Sequence, residues 1–252
     1  MFDNKKNVKQ GRLPIFNIYT CGWSPDGQTG QGTYEPVKKA TRLQLEKVGK
    51  RIIPVKVATS ADFCLILDIW GNIYGFGNNE YNQLTLGLKV KDDKNQEIPQ
   101  QLNEPILLFK ATKNIKPVDI ACTATTGFFL DEHRNIYSWG YGNTLGHGNS
   151  TKSLIHPEKI DLTFFGINQQ KFGDDPFLEK LPEIVDIQTG IEHVVAITSD
   201  GGAYGWGRNY DGRLGNNTTR DVSYPFPILL PELCVGAACG MDHTVFVTSH
   251  VV

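Results

Sequence analysis

The chain has 252 residues, 40 % of them apolar, with a formal net charge of −2, so it can bury a sizeable core as one large domain or two small ones. That balance contains no dominant basic block and speaks against nucleic acid as the main partner, because such binding is driven by neutralising phosphates. The five cysteines (Cys21, Cys64, Cys122, Cys234, Cys239) are odd in number and irregularly spaced, and no apolar stretch resembles a signal peptide or membrane span, which predicts an intracellular protein, cytoplasmic in the first instance.

Residues 1–16 read as an extended N-terminal tail that orders only against something else. Lys5, Lys6, Lys9 and Arg12 stand there against Asp3 alone, which leaves a mitochondrial targeting role open although no apolar helical face accompanies them. From residue 17 onward a glycine-punctuated aromatic element recurs, as NIYTCGWSPDGQTGQG, GNIYGFGNNEYNQL, RNIYSWGYGNTLGHGN and GGAYGWGRNYDGRLGNN. With Tyr74, Tyr137 and Tyr204 in register, eleven residues earlier stand Phe63, Thr126 and His193, and three residues later stand Gly77, Gly140 and Gly207. Upstream, VKVATSADFCLIL, VDIACTATTGFFL and VDIQTGIEHVVAI each give an apolar run, a small-residue break and a second apolar run, a pattern that predicts two short strands. The turn-forming tails DIWGN, DEHRN and SDGG then lead to a third strand, IYGFG, IYSWG or AYGWG. A proline beside an apolar stretch follows in EPILLF, HPEKIDL and YPFPILLP, which predicts an edge strand, since proline cannot donate to a central ladder. Each unit is thus a four-stranded antiparallel blade.

The two ends of the chain supply halves of such a unit. CVGAACGMDHTVFVTS matches the first two strands, with His243 in register with His193, whereas Tyr19, Gly22 and EPVKKATRL match the third and fourth. Three repeats and two complementary halves predict an all-β propeller of about four blades over residues 17–252, with one blade closed by pairing of the N- and C-terminal strands. The same phase would let another chain complete the arc. The small-large-small segments predict Trp139 and Trp206 between neighbouring blades, and Asn78, Asn79, Asn143, Asn209 and Asp211 suit turns with positive φ.

The unit, a small-residue turn before His or its substitute, then Tyr-x-Trp-Gly and a loop ending Leu-Gly, resembles the repeat of the regulator of chromosome condensation family. The match runs across nearly the whole chain and is fullest in GIEHVVAITSDGGAYGWGRNYDGRLG. The resemblance implies a β-propeller, typically seven-bladed in that family, and a place among exchange factors for small GTPases, inhibitors, ligase-associated domains and scaffold subunits.

Candidate chemistry is thin. His193 and His243 occupy equivalent positions, where hydrogen bonding to a neighbouring backbone is favoured over metal ligation. Cys234, Cys239 and His243 lack an evident fourth ligand and read as structural. GWGRNYDGRLG contains the glycines of a phosphate loop without the following helix, and the NST and NNT triplets at 149–151 and 216–218 read as turn chemistry. No cofactor, metal site or catalytic set is therefore expected. Two segments break the repeat: the charged 89–103, and 163–181, where Phe164, Phe165, Phe172 and Phe177 are candidate partner anchors with Lys171 and Lys180 at their rim. The alternative for those phenylalanines is to fold under the loop onto the blade. The expected function is a non-catalytic protein-interaction scaffold, a subunit or adaptor of a larger assembly. The rival is a guanine-nucleotide exchange factor acting on a small GTPase.

Overall fold

A computed structural model describes residues 16–49, 52–84, 101–165 and 183–249. The half blade at the N-terminal side pairs β1 (Tyr19–Gly22) with β2 (Val37–Arg42). Three complete antiparallel blades follow in sequence order. They are β3 (Pro54–Thr59), β4 (Phe63–Asp68), β5 (Ile73–Asn78) and β6 (Gln101–Phe109); β7 (Pro117–Cys122), β8 (Thr126–Asp131), β9 (Ile136–Tyr141) and β10 (Ser153–Lys159); and β11 (Ile184–Thr189), β12 (His193–Thr198), β13 (Ala203–Gly207) and β14 (Val222–Ile228). A second half blade pairs β15 (Leu233–Cys239) with β16 (Thr244–Ser249). Gln101–Asn103, at the end of the charged segment, belong to β6. Among the described residues no helix is long and apolar enough to cross a membrane.

Local chemistry explains these strands. The outer strands β6, β10 and β14 carry Pro105, Pro157 and Pro225 where the pairing register shifts, so that missing donor falls in a bulge, and β14 carries a second proline, Pro227, in register opposite Tyr204. In the third strands, Gly77, Gly140 and Gly207 adopt φ of 113°, 111° and 108°, and a Cβ there would stand 2.3, 2.1 and 2.5 Å from the carbonyl oxygens of Asp62, Thr125 and Glu192. Only glycine fits that close approach. The asparagines behave otherwise than expected, since among the described residues the non-glycine residues with positive φ are Asn82, Arg134 and Asn217. Buried Asn79 and Asn209 instead accept the Leu84 and Leu214 N–H groups through their side-chain oxygens, and so fold the loops from inside. The NST and NNT triplets are turns of the expected kind: Asn149 and Asn216 accept from Thr151 and Thr218.

Apolar residues collect between the blades. One cluster joins Leu43 and Leu45 to Ile66 and Phe76, a second joins Phe63 and Leu84 to Phe129 and Trp139, a third joins Phe128 and Ile160 to Val194 and Trp206, and a fourth joins Val195 and Ile228 to Cys234. At each junction one hydrogen bond runs from the later blade to the carbonyl that precedes the end of the earlier blade's loop. The indoles of Trp139 and Trp206 donate to Gln83 and Thr144 at 2.9 and 2.7 Å. Where no Trp occupies that place, the strand-two residue opposite supplies the donor, Cys64 Sγ to the Gln28 carbonyl at 3.3 Å and Thr244 Oγ1 to the Arg213 carbonyl at 2.8 Å.

The expected pairing of the two ends does not form. β1 pairs with β2 and β16 with β15, in separate sheets. Among the described residues the apolar clusters join only blades adjacent in sequence, and none joins the first half blade to the last.

Trp139 and Trp206 have no exposed surface. Replacing either with Ala should therefore cost about 3–5 kcal/mol in chemical denaturation. An unchanged unfolding midpoint would contradict the junction role.

Candidate interaction surface

The turn between the first two strands and the loop after the third lie at the same end of each blade, tied by one repeated bond. Asn78, Tyr141 and Arg208 donate their backbone N–H groups to the carbonyls of Asp62, Thr125 and Glu192. The residue after the strained glycine is thereby pushed out on this end, and it differs from blade to blade: Trp23, Asn78, Tyr141, Arg208. Trp23 is 70 % exposed. Tyr141 stacks on Tyr81 of the preceding blade with ring centroids 5.6 Å apart, and Arg208 lies 4.8 Å above the Tyr210 ring. Glu192 accepts two bonds from Arg208 and raises its pKa further. Tyr81, Tyr141, Ser150, Glu192 and Arg208 line a cleft of about 330 Å³ between the second and third complete blades. Exposed rings, an arginine held by its carboxylate and the nearby exposed Met241 are contact chemistry of the kind that anchors interfaces.

Two hydroxyl–imidazole pairs invite a catalytic reading, and the proton inventory decides against it. Ser138 Oγ lies 3.0 Å from His147 Nε2, but its proton goes to the Leu145 carbonyl at 2.7 Å. Thr244 Oγ1 lies 3.0 Å from His193 Nε2, but its proton goes to the Arg213 carbonyl. A hydroxyl has one proton to give, so each imidazole is the donor and neither hydroxyl is activated. Among the described residues, no group of three or more His, Cys, Asp or Glu side chains is placed to hold a metal ion. Burial raises the thiols of Cys64 and Cys239 to about 12 and about 11, which suits packing rather than nucleophilic chemistry.

His193 and His243 are held by a common device. A Cβ on Gly190 or Gly240 would stand 2.3 or 2.2 Å from the imidazole three residues on, so glycine there makes room for the ring to fold back over its own turn.

The expected anchors divide. Phe165 is 1 % exposed, with its ring 5.1 Å from that of Tyr204 and its carbonyl accepting the Tyr204 hydroxyl at 2.7 Å. It is a core residue of the junction beside Trp206 and not a surface anchor, because the short 3-10 turn Leu162–Phe165 directs it inward. Phe164 is half-buried against Tyr224. Phe172, Phe177, Lys171 and Lys180 lie outside the described residues. Exposed Trp23 and Tyr141 were missed by the sequence reading, although their signal was present as the one position beside the repeated glycine whose residue type changes in every blade.

The comparisons agree with this architecture. The family model for the regulator of chromosome condensation (RCC1) repeat matches residues 71–130 and 200–247, and a second model of that repeat matches 184–213. The mouse RCC1-like G exchanging factor-like protein is 33 % identical over 228 residues, which are 90 % of this chain and 45 % of that protein. The crystal structure of human WBSCR16 superposes with a TM-score of 0.77 at 31 % identity, over 93 % of this chain and 54 % of that one. Prp20p from Saccharomyces cerevisiae, described as binding Gsp1p and histones, superposes with a TM-score of 0.67 at 17 % identity, over 92 % of this chain and 52 % of that one. The chain thus spans about half the length of the relatives it matches.

Burial, with the Arg213 charge beside it, lowers the His193 pKa to about 4, below the ordinary 6.5. The folded state therefore keeps this ring neutral while the unfolded chain takes up a proton near 6.5, so the stabilisation is complete above 6.5 and is lost as pH falls towards 4. Wild type should lose more unfolding free energy than His193→Gln between pH 7 and pH 4.5. Equal losses would show that His193 is not held neutral.

Proposed function

The chain belongs to the RCC1 repeat family, and from that premise we propose that it is a non-catalytic protein-interaction module, a subunit or adaptor of a larger assembly. The observation that carries this reading is the division of labour within each repeat. Residues of the strands are committed to the junction clusters, while the position after each strained glycine presents a different side chain on one end of the arc, exposed at Trp23 and Tyr141 and half-buried at Asn78 and Arg208. Tyr81, Tyr141, Arg208 and Tyr210 are the proposed centre of that surface. Phe172, Phe177, Lys171 and Lys180 of the 163–181 segment are a second proposed contact, resting on that segment's length and aromatic content. Among the solved relatives, Prp20p is described as binding Gsp1p and histones, which favours proteins as the partner class.

A second reading is favoured by one observation, the name of the mouse and human relatives, RCC1-like G exchanging factor-like protein. An exchange factor lowers nucleotide affinity by wedging a loop against a GTPase, so it needs a contact surface and no catalytic constellation. The same face would serve it.

The test couples affinity to stability. With the partner recovered by pull-down from the native source and mass spectrometry, Tyr81→Ser combined with Tyr141→Ser should weaken the complex by more than about 2 kcal/mol, with the melting temperature of the free protein unchanged. Retained affinity would move the contact to the 163–181 segment, for which Phe172→Ser with Phe177→Ser is the matching variant. Faster GDP release from any member of a panel of small GTPases would replace the adaptor reading with the exchange reading.

A further inference from the structure

Charge is unevenly satisfied on the end of the blades that carries the Tyr81–Tyr141 stack. Lys152, Arg208 and Arg213 of its loops are held by carboxylates of the same chain, those of Glu158, of Glu192 and of Asp211 with Asp242. Among the described residues of these loops Arg220 is the one Lys or Arg outside an ion pair. Asp26, Asp62 and Glu80, by contrast, have no cationic partner among the described residues. Asp26 Oδ1 accepts the side-chain amides of Asn78 and Gln101 at 3.3 and 2.7 Å, neutral donors that leave its charge in place. Burial raises the Asp62 pKa above the ordinary carboxylate value, and the neighbouring Asp26 raises it further, as expected of two carboxylates with no cation between them.

These carboxylates run without a break into the exposed rings. Asn78 donates its backbone N–H to the Asp62 carbonyl, and its side-chain oxygen accepts the Glu80 N–H at 2.8 Å. Tyr81 follows Glu80 in the chain and stacks on Tyr141, and the two rings share their cleft with Glu192 and Arg208. All of these residues belong to the three complete blades except Asp26, which is hydrogen-bonded to the first of them.

We propose that this surface docks a basic segment of a protein partner, whose Lys or Arg side chains lie on the Tyr81 and Tyr141 rings and bring their charged ends to Asp62, Glu80 and Glu192, a reading that rests on the interaction module proposed above and adds the chemistry of its partner. A neutral or acidic partner covering the rings would take Asp62 and Glu80 out of water with no counter-charge, and a buried charge left unpaired is strongly unfavourable. A basic side chain meets both needs. Its aliphatic stem packs on the rings, its charge is attracted to their faces, and its N–H groups bond to the carboxylates. The chain already contains one such arrangement within itself, since the Arg208 guanidinium lies 4.8 Å above the Tyr210 ring and gives both its bonds to Glu192.

The experiment measures fluorescence anisotropy of two labelled peptides of equal length, an arginine–glycine repeat and a glutamate–glycine repeat, titrated with the full chain at low salt. The arginine peptide should bind and the glutamate peptide should not, and added salt should weaken the binding. Asp62→Asn with Glu80→Gln should weaken the arginine peptide by about tenfold or more, and Tyr81→Ser with Tyr141→Ser should do the same. Glu46→Gln with Glu132→Gln removes as much charge at exposed positions away from this end and should leave the affinity unchanged. Thermal unfolding of each variant checks that it stays folded. Equal binding of the two peptides, no binding of the arginine peptide, or a loss with Glu46→Gln and Glu132→Gln as large as with Asp62→Asn and Glu80→Gln would each overturn the proposal. With the native partner, an affinity that falls for the tyrosine pair and not for Asp62→Asn with Glu80→Gln would overturn it while leaving the interaction surface standing, and a partner indifferent to both pairs would overturn both.

Discussion

One hydrogen bond recurs at all four junctions of this chain. The carbonyls of Gln28, Gln83, Thr144 and Arg213 each end a loop in a position where the next blade covers them. A buried carbonyl without a partner costs about 1–3 kcal/mol, so every following blade must bring a donor to that point. Two blades do so with an indole, which also fills the space between sheets, and two do so with a small side chain one strand further in. The requirement fixes the position of the neighbouring sheet along and across the blade. The apolar clusters then supply the non-directional part of the attraction.

This constraint explains the glycine-rich loops. For the carbonyl to face the next blade, the chain must leave the third strand sharply, and Gly77, Gly140 and Gly207 permit that exit against the backbone of the adjacent turn. Asn79 and Asn209 then hold the loop from within by accepting a backbone N–H five residues on. The blade of Trp139 has a shorter loop and uses a 3-10 turn, Asn143–Leu145, to place Thr144. The residue after each glycine donates none of the four junction bonds and differs at all four places.

The strands were legible in the sequence because their determinants are local. Alternation and turn residues place the first three strands of each complete blade to within about a residue, whereas each fourth strand begins two or three residues before the proline-led stretch read for it, and the register of Tyr19 against Tyr74 identified β1 as a third strand. Ring closure was not legible, since the angle between blades depends on the joint volume of side chains such as Trp139, Phe129 and Leu84, which no single-strand pattern encodes. Phe165 was left open between a partner anchor and a core residue for a related reason. Its position beyond the fourth strand marks it as loop, and only the packed junction shows that the Tyr204 hydroxyl and Trp206 ring receive it. The loop-face aromatics escaped because an exposed ring and a core ring have the same composition; burial separates Tyr141 from Trp139 two residues before it.

The junction rule is tested most directly by moving its donor from one strand to the other. Val194 faces Trp206 where Cys64 faces Phe76, so Trp206→Phe and Val194→Thr together rebuild at the third junction the arrangement found at the first. The decisive quantity is the coupling between the two substitutions in a double-mutant cycle of unfolding free energies. Val194→Thr should be more favourable in the Trp206→Phe background than in wild type, by about 1 kcal/mol, the net worth of one buried hydrogen bond. Additivity within about 0.5 kcal/mol, the scatter seen for independent sites, would contradict it.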